Sequence, residues 1–418
     1  MSNKFQDKIY NLLRRSEKYT KTDMVYLAKG GFWLSISQVI SSVSSFLLAI
    51  AFANLLPVET YGQYKYIISI FSILSMTTLN GMDSSVTRAV AKGFEGSLLS
   101  ALKTKIKWGL IGATASLAMA IYYYLNNNYD LMVSFALISI VVPLIDSLAL
   151  YQSYFNGKKW FDKLTKYTVF TKIISSLCIF LTIYLVDNLF LVVASFFIPL
   201  LILRIIYFIH IKNRYPPNKE VDTQTVKYGK HLSFVGILGT VAMQIDKILV
   251  FHYLGATELA IYAFAVAPLE QMKSLVKPIT TLAAPKFATK TKKEIKDTLI
   301  KKMAKLSFLL VIVAIVYIIL APYIFQLIFP KYMEAVFYSR IFAISFITLP
   351  LLTITSVFEA QKMLKEIYLF KIVSSSVQIV LIFVLVLNFG LLGIVLARVI
   401  TRFFNLFLSI TFLKLSKD

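Results

Sequence analysis

Thiols and imidazoles are nearly absent from this chain: Cys178 is the only cysteine, and His210, His231 and His252 stand singly along 418 residues. A disulfide framework within one chain is thereby excluded, and no Cys/His cluster with metal-ligand spacing is visible, so the sequence implies neither a metal site nor a cofactor. Charged residues make up only 16% of the chain, and 21 carboxylates face 44 lysines and arginines. There is no glycine-rich phosphate loop, zinc motif or His/Asp/Glu constellation, which argues against an intrinsic ATPase and against an enzyme. Residues 1–30 are polar and charged, without a short apolar run followed by a small-residue cleavage site. They are read as a retained N-terminal segment rather than a signal peptide.

What the chain does hold is apolar surface. Hydrophobic residues make up 58% and aromatics 14%, with a mean hydropathy of +0.72, against ~45–50% apolar in a soluble domain. A membrane span needs about 20 mostly apolar residues, and windows of that size predict spans near 31–54, 62–82, 107–125, 131–153, 167–186, 189–210, 231–253, 258–279, 304–329, 334–358, 367–388 and 391–412. All-round apolarity at this length means helices, because a lipid-exposed backbone must satisfy its own hydrogen bonds. The alternation expected of a membrane β-barrel is missing. The expected fold class is an all-α polytopic membrane protein of about twelve transmembrane helices.

The net charge of +23 would suggest nucleic acid in a soluble protein, but its placement is topological. Lys4 to Lys29 precede the first span, and Arg88 to Lys107, Lys158 to Lys166, Lys212 to Lys230, Lys286 to Lys305, Lys362 with Lys365, and Lys414 with Lys417 fill every second connection. The alternate connections contain one cation between them, Lys331. The positive-inside rule puts both termini in the cytoplasm. The basic loops are expected to meet anionic lipid, not nucleic acid.

Sliding the second half over the first by 198 positions superposes Lys29/Lys227, Gly31/Gly229, Ser35/Ser233, Leu56/Leu254 and Tyr64/Tyr262, and continues through Arg88/Lys286 and Lys107/Lys305. An offset of 199 lays the five residues from Lys172 to Ser176 on those from Lys371 to Ser375. Six spans per half is an even number, so the halves share an orientation and relate by a pseudo-two-fold axis along the membrane normal. That is a transporter arrangement, with the substrate site between the lobes. The expected organisation is a cytoplasmic segment 1–30, an N-lobe 31–211, a cytoplasmic linker 212–228 around Pro216-Pro217, a C-lobe 229–412 and a tail 413–418.

The run Gly30-Gly31-Phe32-Trp33, Asn54-Leu55-Leu56 and Tyr61-Gly62-Gln63-Tyr64, followed by Asp83, Thr87-Arg88 and Lys92, resembles the opening of the lipid-linked oligosaccharide (O-antigen, Wzx-type) flippases of the multidrug/oligosaccharidyl-lipid/polysaccharide exporter superfamily. Gln244-Ile245-Asp246-Lys247 through Leu254-Gly255 to Tyr262 resembles the start of that family's second lobe. The resemblance implies a two-lobed, V-shaped carrier that moves an undecaprenyl-diphosphate-linked glycan across the inner membrane by alternating access. It implies a role in surface polysaccharide synthesis (O-antigen within lipopolysaccharide, capsule or exopolysaccharide), with polymerase machinery and H+ or Na+ as further partners. Spans 31–54 carry neither the cations usual in the lipid II flippases nor the carboxylate common in ion-coupled multidrug exporters of the superfamily.

An ionisable side chain at membrane depth costs ~2.5–3.5 kcal/mol on insertion scales and marks a candidate site, the alternative being an ion pair that holds the lobe together. Glu270, Lys273 and Lys277 share one face at i, i+3 and i+7, with Glu270 roughly 18 Å from the outer end of its span. Asp246 and Lys247 point about 100° apart on their helix, and Lys247 suits an anion better. With Arg340, Lys65 and Arg88, the lysines 247, 273 and 277 are the cationic candidates for binding a diphosphate. Glu270, Asp246 and Asp146 are the candidates for ion coupling. Arg398, Arg402 and Asn405 also share a face, but the last helix of a lobe is peripheral in the resembled family, so they are assigned to structure. Pro143, Pro268 and Pro350 lie inside spans and predict bends.

Two other functions remain open at this point. An ion-coupled multidrug exporter of the same superfamily would need a site dominated by carboxylates and aromatics. A membrane glycan polymerase or glycosyltransferase would need a sizeable outer loop carrying acid/base residues, and the outer connections here are only a few residues long.

Overall fold

The computed structural model describes residues 24–289, 292–361 and 363–415. It is helical throughout that range, with no strand among the described residues. The first half contains α1 (Met24–Leu55), α2 (Val58–Leu74), a 3-10 turn at Ser75–Thr78, α3 (Gly81–Ala91), α4 (Ser97–Leu125), α5 (Tyr129–Leu148), α6 (Leu150–Gly157), α7 (Phe161–Leu185) and α8 (Leu189–Arg214). The second half contains α9 (Gln224–Leu254), α10 (Ala256–Thr289), α11 (Lys292–Ile328), 3-10 turns at Pro330–Tyr332 and Ile344–Thr348 flanking α12 (Ala335–Ala343), then α13 (Leu351–Ala360) and α14 (Leu364–Leu415).

Helix ends follow local chemistry. The Asn128 and Asn188 side chains accept from the amides of Leu131 and Leu191, capping α5 and α8. Gly255 at φ +96 stops α9, a backbone state only glycine adopts without strain. In α14, Gly390 (φ 54, ψ −132) interrupts the helix, and a Cβ on Gly393 would fall 1.9 Å from the carbonyl oxygen of Leu385. Residues eight apart in a straight helix would be about 12 Å apart, so α14 doubles back as two packed arms, 364–389 and 391–415.

Among the described residues eight helices are long and apolar enough to cross a membrane, or nine if the bent pair 335–348 and 351–360, turned by 41° beside Pro350, is one span. The expected twelve differ from this in three places. The fifty-two-residue α14 holds two of the expected spans in its hairpin; α2 is only 17 residues long and gives way to a 3-10 turn; and α10 carries Glu270, Lys273 and Lys277 in its middle. Outward-facing side chains such as Leu327 (84% exposed) and Leu185 (72%) would be untenable in water as a continuous surface, and a bilayer accounts for them.

The internal repeat is visible in element order. Shifted by 198, α1 ends where α9 ends and α2 starts where α10 starts, to within a turn, and α4, α7 and α8 fall on α11 and the two arms of α14. The halves depart from symmetry after α2, which breaks at Leu79 (φ 61), whereas α10 runs on unbroken.

Each lobe meets the other at both ends. At the lysine-poor end Tyr61 packs on Phe264 and Tyr332, and Tyr66 stacks on Phe251 at 3.8 Å between ring centres. At the lysine-rich end α3 lies on α9, where the Gly81 amide donates to Ser233 Oγ (2.9 Å) and Ser85 Oγ to the Thr225 carbonyl (2.6 Å). The linker between α8 and α9 docks on the turn after α3, the Gly96 amide donating to the Glu220 carbonyl (2.8 Å).

Candidate functional site

Between the lobes lies a cavity of about 560 Å³. α1 and α2 contribute Ser45, Ala49, Tyr61 and Lys65; the rest of the wall comes from α9, α10, the 344–352 bend and α14. Among the described residues its charged lining comprises five cations, Lys65, Lys247, Lys273, Arg398 and Arg402, and two carboxylates, Asp246 and Glu270.

These charges form two rungs. In the first, Asp246 is 1% exposed and takes a hydrogen bond from Tyr262 Oη (2.5 Å), another from the Lys247 amide (2.9 Å), and an ion pair from Arg398 Nε (3.3 Å). The second lies about one turn, roughly 6 Å, further along the last arm. There Glu270 Oε1 receives Lys273 Nζ at 2.7 Å and Arg402 Nη2 at 3.4 Å. Lys247 Nζ donates to the Gln244 amide oxygen at 2.8 Å, and Lys65 Nζ stands 5.3 Å from the centre of the Tyr61 ring. Neither lysine has a carboxylate ion pair among the described residues. Arg398 Nε and Asn405 Oδ1 are buried without a hydrogen-bond partner, since the Arg398–Asp246 contact is electrostatic and lacks hydrogen-bond geometry.

The cavity therefore collects Lys65, Lys247, Lys273, Glu270 and Asp246 from the residues singled out in the sequence. Lys277 lies on α10, but its side chain falls outside the described residues. Arg340, Arg88 and Asp146 are placed elsewhere. Arg340 Nε donates to the Ile318 carbonyl (2.9 Å), because α12 lays it against α11. Arg88 sits 5.3 Å from the Tyr228 ring in the α3–α9 contact. Asp146 pairs with Arg204 of α8 at 3.2 Å, inside the first half. A separate pair, the buried Lys105 with the half-exposed Asp83 at 2.8 Å, joins α4 to α3.

For Arg398 and Arg402 the structure corrects the expected peripheral position, while each is ion-paired, with Asp246 and Glu270 respectively. Assigned to structure, they line the cavity with Thr401 and Asn405. Their i, i+4 spacing was legible; which way that stripe turns depends on the Gly390 hairpin folding the last arm back onto α9.

An inter-lobe cavity in a two-lobed helical bundle, lined by intramembrane charges, is the architecture of the multidrug, oligosaccharidyl-lipid and polysaccharide exporter (MOP) fold. Solved structures agree on that fold. "Lipid II flippase MurJ, inward closed conformation" is similar at a TM-score of 0.70 and 15% identity, over 91% of this chain and 87% of that one. "Crystal structure of MATE in complex with MaD5" gives 0.64 and 12%, over 93% and 97%. A MOP superfamily transporter from Pyrococcus furiosus, described by reverse polarity of its binding pocket, gives 0.54 and 12%, over 93% and 97%. No curated protein matches the chain in sequence. Residues 27–289, more than half of the chain, match the polysaccharide biosynthesis protein family, and the chain belongs to it.

Proposed function

We propose that this protein carries an undecaprenyl-diphosphate-linked oligosaccharide from the cytoplasmic to the outer face of a bacterial inner membrane by alternating access, in the synthesis of a surface polysaccharide. The observation that carries the reading is the charge of the cavity: five cations converge there, and both of its carboxylates are already paired. A diphosphate brings about two negative charges and several acceptor oxygens, and guanidinium and ammonium groups hold such a group through charge-assisted, bidentate hydrogen bonds. The glycan would occupy the neutral part of the wall, where Gln244, Gln271, Gln378 and Thr401 offer hydrogen bonds. The polyprenyl tail stays in lipid. In this reading the lysine-rich end faces the cytoplasm with both termini, and O-antigen or capsule polymerase machinery takes up the product. Glu270 and Asp246 line the cavity, and in this reading they exchange a proton or sodium ion for the lipid.

A drug–cation antiporter of the same fold is the second reading, and the excess of cations over carboxylates disfavours it. The test is export in cells whose surface glycan depends on this gene. Lys273→Ala combined with Arg402→Ala is expected to abolish surface glycan at normal protein level and membrane insertion, and Lys273→Arg should keep more activity than Lys273→Ala. Full export by the double alanine variant would reassign the cavity.

A further inference from the structure

The two carboxylates of the cavity are held in very different ways. Asp246 is enclosed: it is 1% exposed, and a tyrosine hydroxyl, a main-chain amide and Arg398 surround it. Glu270 is half in the open, its side chain 49% exposed, and both of its ion pairs fall on one oxygen, Oε1. Its carboxylate stands at the end of a flexible side chain, whereas the Asp246 carboxylate cannot leave without orphaning Tyr262 and Arg398.

From this contrast we infer that Glu270 is an internal stand-in for the substrate's phosphate: it occupies the Lys273–Arg402 cation pair in the empty cavity and is displaced when a diphosphate enters. The inference rests on the proposed function and names what that function leaves open, how a strongly cationic cavity avoids filling with ordinary cell anions. A tethered carboxylate competes at an effective concentration in the millimolar range. A singly charged anion such as chloride offers the cations no more than Glu270 already does. A diphosphate offers a second charge and bidentate oxygens to Arg402, while the half-exposed Glu270 gives up only a solvent-screened pair and swings into water. Every anion that needs this cation pair must displace Glu270, so the carboxylate lowers all of their affinities by one common factor and keeps the weaker-binding cell anions out at their working concentrations. On the release side, Glu270 returning to Lys273 and Arg402 helps expel the product.

The experiment uses the full-length protein in lipid nanodiscs, with calorimetric titration of inorganic phosphate, inorganic pyrophosphate and undecaprenyl diphosphate in magnesium-free buffer. Glu270→Gln is expected to bind phosphate and pyrophosphate each at least about tenfold more tightly than wild type, the size of one charge-assisted contact freed from competition. Glu270→Asp, whose carboxylate is retracted by one methylene, keeps a charge in the helix and should fall between wild type and Glu270→Gln. It serves as the deciding variant if Glu270→Gln does not fold. Affinities for both anions equal to those of wild type in Glu270→Gln, or in Glu270→Asp where Glu270→Gln does not fold, with wild type binding pyrophosphate normally, overturn the displacement and leave the flippase reading standing. Failure of the wild type to bind either diphosphate overturns both.

Discussion

Lys331 reaches from the second lobe to the end of α1, donating its ammonium to the main-chain oxygens of Asn54 (2.9 Å) and Leu56 (3.2 Å). The Asn54 side chain answers by donating to the Ile328 carbonyl at 3.0 Å. The last carbonyls of a helix have no partner within it and carry partial negative charge. The one cation in the lysine-poor connections thus caps the helix of the opposite lobe. This pair sits at the same end as the Tyr61–Phe264–Tyr332 aromatic contact and fastens it.

Removing the latch should loosen that end. Lys331→Met, in a Cys178→Ser background with Ser45→Cys as a reporter in the cavity wall, is expected to raise labelling by a membrane-impermeant maleimide in whole cells several-fold. That corresponds to about 1 kcal/mol for hydrogen bonds lost at an exposed site. Labelling equal to the Lys331 parent would mean that the aromatic contact alone holds the seal.

Arg398 should matter for stability as well as transport, because Asp246 beneath it is almost fully enclosed. Arg398→Ala leaves a buried charge without its counter-ion, at a cost of about 3–5 kcal/mol. Pairing Arg398→Gln with Asp246→Asn removes both charges and should recover most of the loss in thermal unfolding, while surface glycan stays absent. A double variant no more stable than Arg398→Ala would show that the two residues are not coupled.

Much of this was legible in the sequence, for physical reasons. The bilayer imposes long apolar runs, so the expected order of helices survives in the structure even where α2 is shortened and α14 is a hairpin. Glu270 and Lys273 announced themselves as charges at membrane depth, three residues apart on one face, and they are bonded in the structure. What a single helix cannot reveal is which neighbour its face meets. Arg340 and Arg398 look alike as intramembrane arginines; the first spends its guanidinium on the Ile318 carbonyl and the second lines the cavity. The choice is made by tertiary bends, at 344–350 for Arg340 and at Gly390 for Arg398.

Glu95 gives the lysine-rich end a pH dependence. Burial raises its carboxyl pKa, but Lys158, the Asn218 amide and the Tyr154 hydroxyl bond to the ionised form and together hold it below the ordinary value of 4.5. A depressed folded-state pKa means stability that is present above the unfolded value and lost as pH falls through the folded one. The 216–222 linker should therefore exchange its amides more readily once pH drops below 4.5, after correction for intrinsic exchange. Glu95→Gln should exchange readily at neutral pH and lose the acid dependence. An acid response that persists in this variant would locate the titrating group elsewhere.

Two glycines stand where the lobes touch, one at each end, and they should bias the carrier in opposite directions. A Cβ on Gly62 would lie 1.8 Å from the Ala256 carbonyl oxygen, at the lysine-poor end. One on Gly81 would lie 2.5 Å from the Ser233 amide nitrogen and 2.7 Å from the Gly229 carbonyl oxygen, at the lysine-rich end. All these neighbours are main-chain atoms of the opposite lobe, so a methyl group there is accommodated by moving helices apart rather than by a side-chain adjustment. Gly62→Ala should expose the Ser45→Cys reporter to impermeant maleimide in whole cells, and Gly81→Ala should expose it in inverted vesicles. Gly239→Ala is the control: nothing lies within 4 Å of its Cβ, and replacing glycine inside a helix gains up to about 1 kcal/mol, so labelling from either side should match the parent. Parental labelling from both sides in Gly62→Ala and Gly81→Ala, with both proteins folded, would show that neither contact has to part for the cavity to open.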